Sequence, residues 1–316
     1  MLAFRRFNEP QRNRPARLST RPPIQENSMT IRTGFIGLGV MGKPVAAHLA
    51  PAGFPTTVYD IVDEPVDELV AGGAKAASSP REVGANSDIV GICVPEDKHV
   101  KALVYGEDGL LAGMSEGGII LIHSTILPET VEEVEAAARD EGIEVMDVCV
   151  TGGAEGAIKR TLTLLIGGAE SAYKKSQPYF DAITDTEPIF AGPLGCGAKL
   201  KLCINLITYI QWAAAYESAA LAKSAGLSLD ILKQAGQSNG QITPMMLAYL
   251  GSQELPKEVI DSEAFQNVML YNTRLAEKDL AWALKLAHQG EVQLPVGGLV
   301  SQLMGRLYQL KDGPRA

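Results

Sequence analysis

The sequence predicts an α/β fold, in which a doubly wound, mostly parallel sheet is followed by an all-helical region. From Ile31 to about Gly192, short apolar runs alternate with helical patterns, which is typical of a parallel sheet covered by helices on both faces. After Gly192 the strand-like runs stop and only helical periodicity continues. We therefore expect a sheet domain over residues 30–192 and an all-helical domain over residues 193–316.

The elements of the sheet domain follow one another along the chain. The strand-like runs are Gly34–Ile36, Thr56–Tyr59, Asp88–Val94, Gly118–His123, Ile143–Val150 and Thr161–Ile166. The helical segments between them include Pro44–Leu49, Pro65–Val70, Lys98–Val104 and Thr130–Arg139. Ligands of such sheets bind beyond the carboxyl ends of the strands, so functional residues are expected in the loops there.

The second half of the chain is predicted to be helical throughout, with a long first helix starting near Ala198. The helical segments are Lys199–Lys223, Ser228–Ala235, Met245–Leu250, Ala264–Leu270, Asn272–His288 and Leu299–Leu310. The most apolar stretch, Leu200–Leu221, contains charged and amide side chains. It therefore fits a buried helix of a globular protein better than a membrane span.

Composition limits the possible functions. The net charge of −9 disfavours nucleic acid or an anionic membrane as the main partner. The cysteines form no C-x-x-C pair, which favours reduced thiols in a cytoplasmic protein; they are Cys93, Cys149, Cys196 and Cys203. The histidines lack metal-ligand spacing and are interpreted as surface or structural residues; they are His48, His99, His123 and His288. No metal is expected.

Residues 1–29 differ in composition from the rest. Arginine and proline are frequent there, and the segment lacks the apolar core of a secretory signal. We interpret it as a disordered basic tail, or as sequence upstream of a start at Met29. An organelle-targeting presequence is the alternative.

A glycine-rich turn follows the first predicted strand. Gly37, Gly39 and Gly42 have G-x-G-x-x-G spacing, and Asp60 follows Gly37 by 23 positions at the end of the next strand-like run. This combination is typical of a Rossmann-type dinucleotide-binding unit, in which the glycines permit a tight turn, close approach of the pyrophosphate, and close packing of helix on strand. The phosphates would lie at the positive end of the helix that starts near Val40. A glycine-rich turn without a ligand is the alternative.

The residue at position 60 also predicts which dinucleotide binds. A carboxylate accepts hydrogen bonds from the adenosine ribose and repels a 2′-phosphate, and no arginine follows in the sequence Asp60-Ile-Val-Asp-Glu. We therefore expect NAD as the cofactor and consider NADP less suitable.

A second pair of glycines follows the strand-like run that ends at Val150. Thr151, Gly152 and Gly153 offer a hydroxyl group and accessible backbone N–H groups, which suit an anion such as a carboxylate. A tight strand-to-helix turn without a ligand is equally compatible with these residues.

Charged residues in the helical half have two interpretations. Lys201 and Asn205 share one face of an otherwise apolar helix, whereas Lys199 lies on a different face. Lys201 either extends its amine to solvent or is held in a dry cleft, where its pKa falls and suits a general acid or base. Farther on, Lys278 and Asp279 form a pair that, taken alone, is expected to be solvated.

Together these motifs resemble the β-hydroxyacid dehydrogenase family, which includes 3-hydroxyisobutyrate dehydrogenase and tartronate semialdehyde reductase. The resemblance extends from Thr30 to Tyr308. The motifs that carry it, in the family's order, are Gly37 to Gly42, Thr151-Gly152-Gly153, Gly197 followed by Lys201 and Asn205, and Lys278-Asp279-Leu280.

The resemblance implies an NAD-dependent oxidoreductase that transfers a hydride between nicotinamide and a small β-hydroxy acid or its semialdehyde. Lys201 would be the catalytic acid or base, and Asn205 would orient the substrate hydroxyl. The substrate carboxylate would be held by Thr151, Gly152 and Gly153. The expected cofactor contacts are Gly37, Leu38, Gly39, Val40, Met41, Gly42, Asp60, Val94, Pro95, Thr125 and Lys278. A homodimer or homotetramer would form through the helical domain, which also serves the substrate.

The chain departs from the family at two positions, and other activities remain open. Many members have Ser where this chain has Thr151 and Asp where it has His123, so the exact substrate is left open. A decarboxylating relative of 6-phosphogluconate dehydrogenase is one alternative, although the chain looks short for it. An imine reductase is disfavoured by Lys201. A non-catalytic binding protein with a dehydrogenase fold would be expected to lose that lysine.

Overall fold

The sheet runs through the first half of the residues that the structure, a computed structural model, describes, which are 31–311. The predicted basic tail, residues 1–29, lies outside them. The sheet has eight strands in the order β3-β2-β1-β4-β5-β6-β7-β8. Neighbouring strands are parallel except β6 and β7, which are antiparallel. The strands are β1 (Thr33–Ile36), β2 (Thr56–Tyr59), β3 (Lys75–Ala76), β4 (Ile89–Ile92), β5 (Ile119–Ile122), β6 (Glu144–Thr151), β7 (Thr163–Gly167) and β8 (Ile189–Gly192).

The strand order creates a switch point. The chain crosses from β1 to β2 on one side and later returns to β4 on the other, so the carboxyl ends of β1 and β4 flank a crevice. The loops after β5 and β6 leave the sheet at the same edge, because these strands are parallel to β4. This edge is where the candidate site forms.

Helices cover both faces of the sheet. Those of the first half are α1 (Gly42–Ala46), α2 (Asp63–Ala71), α3 (Pro80–Ala85), α4 (Asp97–Val104), α5 (Pro128–Asp140), α6 (Gly153–Ile158) and α7 (Glu170–Ile183). Strands β1, β4 and β5 are buried at every position, as expected for parallel strands with both faces covered. One core includes Tyr179 and Phe180 of α7, and the other includes Val100 of α4 and Val131 of α5.

The remaining described residues are helical. The helices are α8 (Cys196–Ser224), α9 (Leu229–Ser238), α10 (Pro244–Ser252), α11 (Lys257–Ile260), α12 (Glu263–Gln289), α13 (Pro295–Ser301) and α14 (Met304–Leu307). Helices α8 and α12 pack together, and Tyr209, Tyr249 and Leu280 belong to a third apolar cluster there. Between Ile31 and Lys311, no helix is long and apolar enough to cross a membrane.

The predicted fold class is confirmed, and some element boundaries are wrong. The segments Ala264–Leu270 and Asn272–His288 form one helix, α12, because no glycine or proline interrupts the backbone at Tyr271. The single predicted helix Leu299–Leu310 is divided into α13 and α14. Strands β3 and β8, at the two sheet edges, were not predicted: β3 is a pair of exposed residues, and β8 is a four-residue run that begins at the exposed Ile189. The division into domains at residue 192 stays a prediction.

Candidate active site

The glycine-rich turn after β1 has the geometry that its spacing predicts. Gly37 has a φ of +90°, and a Cβ there would lie 2.3 Å from the carbonyl oxygen of Cys93. A Cβ on Gly42 would lie 1.8 Å from the carbonyl oxygen of Gly37, so α1 packs directly on the turn. A Cβ on Gly39 would meet nothing within 4 Å. The first and third glycines are therefore required by the fold itself, whereas the second leaves an open space.

Asp60 lies beside this turn, after β2. Its carboxylate accepts a hydrogen bond from the backbone N–H of Leu38 and another, of 2.9 Å, from that of Val62. The structure thus brings the predicted carboxylate to the glycine-rich turn. Val40 in the same turn is 73% exposed, and Met41 is partly buried.

The loops after β4 and β5 are tied to helix α12. The amine of Lys278 donates hydrogen bonds to the backbone carbonyl of Pro95, at 2.9 Å, and to that of Thr125. The N–H of Val94 donates to the hydroxyl of Ser124 at 2.8 Å. Lys278 therefore holds the two predicted cofactor loops together and does not extend into solvent.

The proton-transfer candidate Lys201 lies on α8. It is partly buried, whereas Lys199 is exposed on another face of the same helix. Desolvation lowers the pKa of Lys201, and the negative charge of Asp279 opposes that lowering. The lowered pKa of this partly buried lysine favours the second of the two interpretations that the sequence allows, a lysine held in a cleft.

Asp279 is the main residue that sequence reasoning assigned wrongly. The pair it forms with Lys278 was expected to be solvated, but Asp279 is only 7% exposed. One carboxylate oxygen accepts hydrogen bonds from the amide of Asn205, at 2.7 Å, and from the hydroxyl of Tyr209, at 3.3 Å. The other lies 3.3 Å from the amine of Lys278. Burial raises the pKa of Asp279, and the positive charges of Lys278 and Lys201 oppose that rise.

The sequence contains a signal for part of this cluster. Lys201, Asn205 and Tyr209 are spaced four residues apart on α8, so they form one polar stripe along an apolar helix. Asp279 comes from α12, and only the packing of α12 against α8 brings it to the stripe. Asn205 and Tyr209 thus satisfy one carboxylate oxygen of Asp279, whereas the other oxygen is buried without a hydrogen bond and has only the ion pair with Lys278.

The turn after β6 carries the candidate anion site. Thr151 ends β6 and Gly153 begins α6, while Gly152 and Gly153 have φ values of +126° and +68°. The tight strand-to-helix turn is therefore real, and both glycines are exposed. The geometry is compatible with an anion but does not require one.

His123 has a structural environment at the end of β5. Its ring stacks between those of Phe35 and Tyr179, with centroid distances of 5.7 and 5.9 Å. The ring nitrogens hydrogen-bond the carbonyl of Val148 at 2.9 Å and the hydroxyl of Tyr179 at 3.0 Å. Burial lowers the pKa of His123 to about 4, so the ring is neutral near pH 7.

Other reactive groups near the site do not suggest different chemistry. Burial raises the pKa of Cys93 to about 12, against the opposing charge of Lys201, so this thiol is protonated at neutral pH and is a poor nucleophile. Among residues 31–311, no group of three or more histidine, cysteine or carboxylate side chains is arranged to hold a metal.

Two family models match the chain. Residues 32–196 match the NAD binding domain of 6-phosphogluconate dehydrogenase. Residues 195–315 match the NAD-binding model of NADP-dependent 3-hydroxyisobutyrate dehydrogenase. The two matches together span nearly all the described residues.

Individual proteins are similar over most of their length. The chain is 34% identical to an NAD-dependent L-serine dehydrogenase of Pseudomonas aeruginosa over 279 residues, which are 88% of this chain and 92% of the relative. It is 32% identical to a 3-hydroxyisobutyrate dehydrogenase of the same organism over 270 residues, which are 85% and 89%. A solved structure described as Psf3 in complex with NADP+ and 2-OPP has a TM-score of 0.75 at 26% identity, over 87% of this chain and 93% of that one.

Proposed function

We propose a specific reaction for this chain, which belongs to the β-hydroxyacid dehydrogenase family and is an NAD(P)-dependent oxidoreductase acting on a CH–OH group. The reaction is the interconversion of a small β-hydroxy acid and its semialdehyde, with NAD as the preferred cofactor. The observation that carries the proposal is the amine of Lys201, whose pKa is lowered by desolvation and raised by Asp279, on the helix face that it shares with Asn205.

Lys201 is proposed as the residue that moves the proton. In oxidation a neutral amine accepts the hydroxyl proton of the substrate, and in reduction the ammonium returns it. Desolvation favours the neutral form, while Asp279 favours the charged form, so the two forms are closer in free energy than on an exposed lysine. Asn205 donates its amide to Asp279, which fixes its orientation beside Lys201.

The turn after β1 fits a bound dinucleotide. The space beside Gly39 admits a pyrophosphate close to the backbone, and Asp60 lies where the adenosine ribose would reach it. When bound, the nicotinamide accepts or supplies the hydride. Val94, Pro95 and Thr125 would form the wall next to it, held in place by Lys278. The carboxylate of Asp60 would repel a 2′-phosphate, which supports NAD over NADP.

The substrate carboxylate is proposed to bind at the turn after β6. Thr151 supplies a hydroxyl there, and the exposed backbone of Gly152 and Gly153 supplies N–H groups. L-serine and 3-hydroxyisobutyrate, which name two relatives, both carry a carboxylate and a hydroxyl group on the carbon β to it. That shared pattern supports a small β-hydroxy acid as the substrate class.

The organisation of the protein is part of the proposal. We assign residues 30–192 to cofactor binding and residues 193–316 to substrate binding and oligomerisation. Exposed apolar side chains on α8, such as Ile207 and Leu221, support a homodimer or homotetramer. The cysteines within residues 31–311 are all free thiols, which agrees with a cytoplasmic location.

Two other functions are less well supported. A decarboxylating relative of 6-phosphogluconate dehydrogenase would share the sheet, but the helical half matches the 3-hydroxyisobutyrate dehydrogenase model instead. A non-catalytic binding protein would not need a desolvated lysine beside a buried carboxylate.

A panel of substrates tests the proposal. The purified protein is incubated with NAD or NADP and with L-serine, 3-hydroxyisobutyrate, glycerate and 6-phosphogluconate, and the reduced cofactor is followed by absorbance. We expect turnover of at least one small β-hydroxy acid with NAD. Turnover of 6-phosphogluconate alone with release of carbon dioxide would favour the decarboxylating alternative. Binding of NAD without turnover of any of these acids or their semialdehydes would favour the non-catalytic alternative.

A further inference from the structure

Strand β6 carries a carboxylate at a fully buried position. Asp147 is 0% exposed, and it accepts hydrogen bonds from the backbone N–H groups of Gly195, at 2.8 Å, and Ala198, at 2.6 Å. These amides belong to the first turn of α8, where the N-cap residue Gly195 makes no side-chain cap of its own. The sheet therefore supplies the cap that the sequence of the helix lacks.

Glycines bring the start of α8 directly onto the sheet. A Cβ on Gly197 would lie 2.4 Å from the carbonyl oxygen of Leu165 and 2.9 Å from a carboxylate oxygen of Asp147. A Cβ on Gly167 of β7 would lie 2.5 Å from the other carboxylate oxygen. This spacing leaves no room for a side chain between helix and strands, so the position and rotation of the first turn are fixed.

Strand β6 connects Asp147, which anchors the start of α8, to the candidate site. Every second residue of a strand faces the same side of the sheet, so the side chains of Asp147, Cys149 and Thr151 on β6 lie on one face. Helix α8 packs on β6, and Cys149, two residues after Asp147, lies in one apolar cluster with Ala198 and Leu200 of α8. Lys201 comes less than one turn after Ala198. One strand thus carries both the anchor of the lysine helix and the turn at Thr151.

We infer that Asp147 is a positioning residue that sets where Lys201 stands relative to the turn at Thr151. This inference rests on the proposed function, because it gives the position of Lys201 a catalytic meaning. A slip of α8 by one residue would rotate its side chains by about 100° and present Leu200 or Leu202 in place of the lysine. Asp147 acts only through the helix, since its two oxygens are occupied by backbone amides of α8.

The test is the substitution Asp147→Asn, which preserves shape but puts an NH₂ group against helix amides that need an acceptor. We expect kcat to fall roughly 10-fold to 100-fold, the effect of a displacement of about 1 Å at a reacting group. The KM for NAD should stay within about twofold, because the glycine-rich turn is untouched. The acid limb of the kcat profile for oxidation should move to higher pH, because a displaced amine loses part of the desolvation that lowers its pKa.

A matched control separates positioning from general stability. Thr184 is buried, and its hydroxyl donates to the carbonyl of Leu162 at 2.5 Å, at the end of α7. Thr184→Val should lower the melting temperature while leaving kcat and its pH profile unchanged. If Asp147→Asn behaves in the same way, with unchanged kcat per folded molecule, the inference is wrong.

A second variant keeps the test decisive if Asp147→Asn folds poorly. Gly197→Ala places a methyl group between α8 and β7 without changing any charge. As for Asp147→Asn, kcat should fall while the KM for NAD stays nearly unchanged. Because both substitutions act on one anchor, their combined effect should be smaller than the product of the single effects. Independent, multiplicative effects would contradict a shared anchor.

Amide hydrogen exchange provides a readout that does not depend on turnover. Exchange over residues 196–202 should be faster in Asp147→Asn than in Thr184→Val at equal distance from the melting temperature. If Lys201→Ala keeps the wild-type kcat, the proposed function fails, and exchange still reports whether Asp147 holds the start of α8. Unchanged exchange in Asp147→Asn would overturn the anchor itself.

Discussion

The two sides of the candidate site are built from different parts of the polypeptide. Where the cofactor is proposed to bind, the site consists mainly of backbone: Gly37 and Gly42 are required because a Cβ would collide with neighbouring carbonyl groups. Where proton transfer is proposed, the site consists of side chains, such as those of Lys201 and Asp279, which come from separate helices. Backbone geometry is specified by local sequence, whereas a side-chain cluster depends on the packing of distant segments. The part built from backbone should therefore tolerate changes in side-chain chemistry, whereas the side-chain cluster should not.

The two halves also differ in how completely they bury their apolar residues. Strands β1, β4 and β5 are buried throughout, whereas α8 leaves Ile207 and Leu221 52% and 71% exposed. The central strands are therefore fully covered, although residues outside them in this half, such as Val40 and Ile61, are exposed. The helical half retains apolar surface, which is consistent with the proposed association of subunits.

The largest effect is expected from removing the side chain that is proposed to transfer the proton. Lys201→Ala should reduce kcat by roughly 10²–10⁴-fold, the usual range for loss of a general acid or base. The dissociation constant for NAD should stay near the wild-type value, because the backbone side of the site is intact. Steady-state kinetics and NADH fluorescence titration measure the two quantities.

Lys199→Ala is the matched control for this prediction. Lys199 is exposed and leaves α8 about 160° around the axis from Lys201. Its removal should have a much smaller effect on kcat. Equal effects of the two substitutions would mean that the lysine has been assigned wrongly.

A glycine on the backbone side should show the opposite pattern. Gly39→Ala adds a methyl group to an open space, so the melting temperature should change little. The methyl group would occupy the space proposed for the pyrophosphate, so the affinity for NADH should fall by roughly 10-fold or more, about 1.4 kcal/mol. Gly251→Ala, also in open space but on α10, is the control and should leave both quantities unchanged. Normal NADH affinity in Gly39→Ala would place the dinucleotide elsewhere.

Selectivity between NAD and NADP should depend on the side chain of Asp60, which lies beside the glycine-rich turn. The wild-type protein should have a higher kcat/KM with NAD than with NADP, because Asp60 repels a 2′-phosphate. Asp60→Ala should reduce the difference in kcat/KM between NAD and NADP. It also removes the acceptor of the Leu38 N–H, so some loss of affinity for both cofactors is expected. A wild-type preference for NADP in steady-state kinetics would contradict this interpretation.

The smallest effect should be a change in pH dependence. Asp279 raises the pKa of Lys201, so Asp279→Asn should lower it further and move the acid limb of the oxidation rate to lower pH. The pH profile of kcat is the measurement. Asp67→Asn, which removes an exposed carboxylate on α2, should leave the profile unchanged. A shift to higher pH in Asp279→Asn would show that the carboxylate does not act on Lys201 by charge.

The backbone geometry of the candidate site could be predicted from the sequence better than its side-chain cluster. The turn at Gly37, the position of Asp60 and the central strands follow from glycine spacing and short apolar runs, which are local signals. The burial of Asp279 was not predicted, because its partner Asn205 is 74 positions away and no local pattern connects them. The edge strand β3 was missed for a related reason, since its two residues are exposed and carry no apolar alternation.

The stacked imidazole of His123, at the end of β5, is a poor proton acceptor in the native protein. The pKa of His123 is lowered from 6.5 to about 4 by burial, so only the unfolded chain takes up a proton between these values. Its contribution to stability is fully present above about pH 6.5 and is lost as the pH falls toward 4. At about 1.4 kcal/mol per pKa unit, the free energy of unfolding should decrease by about 3 kcal/mol over this interval. Urea unfolding at pH 7 and pH 4.5, with His123→Gln for comparison, would show a flatter dependence in the variant. Acidification thus shifts the global folding equilibrium through the protonation of one buried histidine.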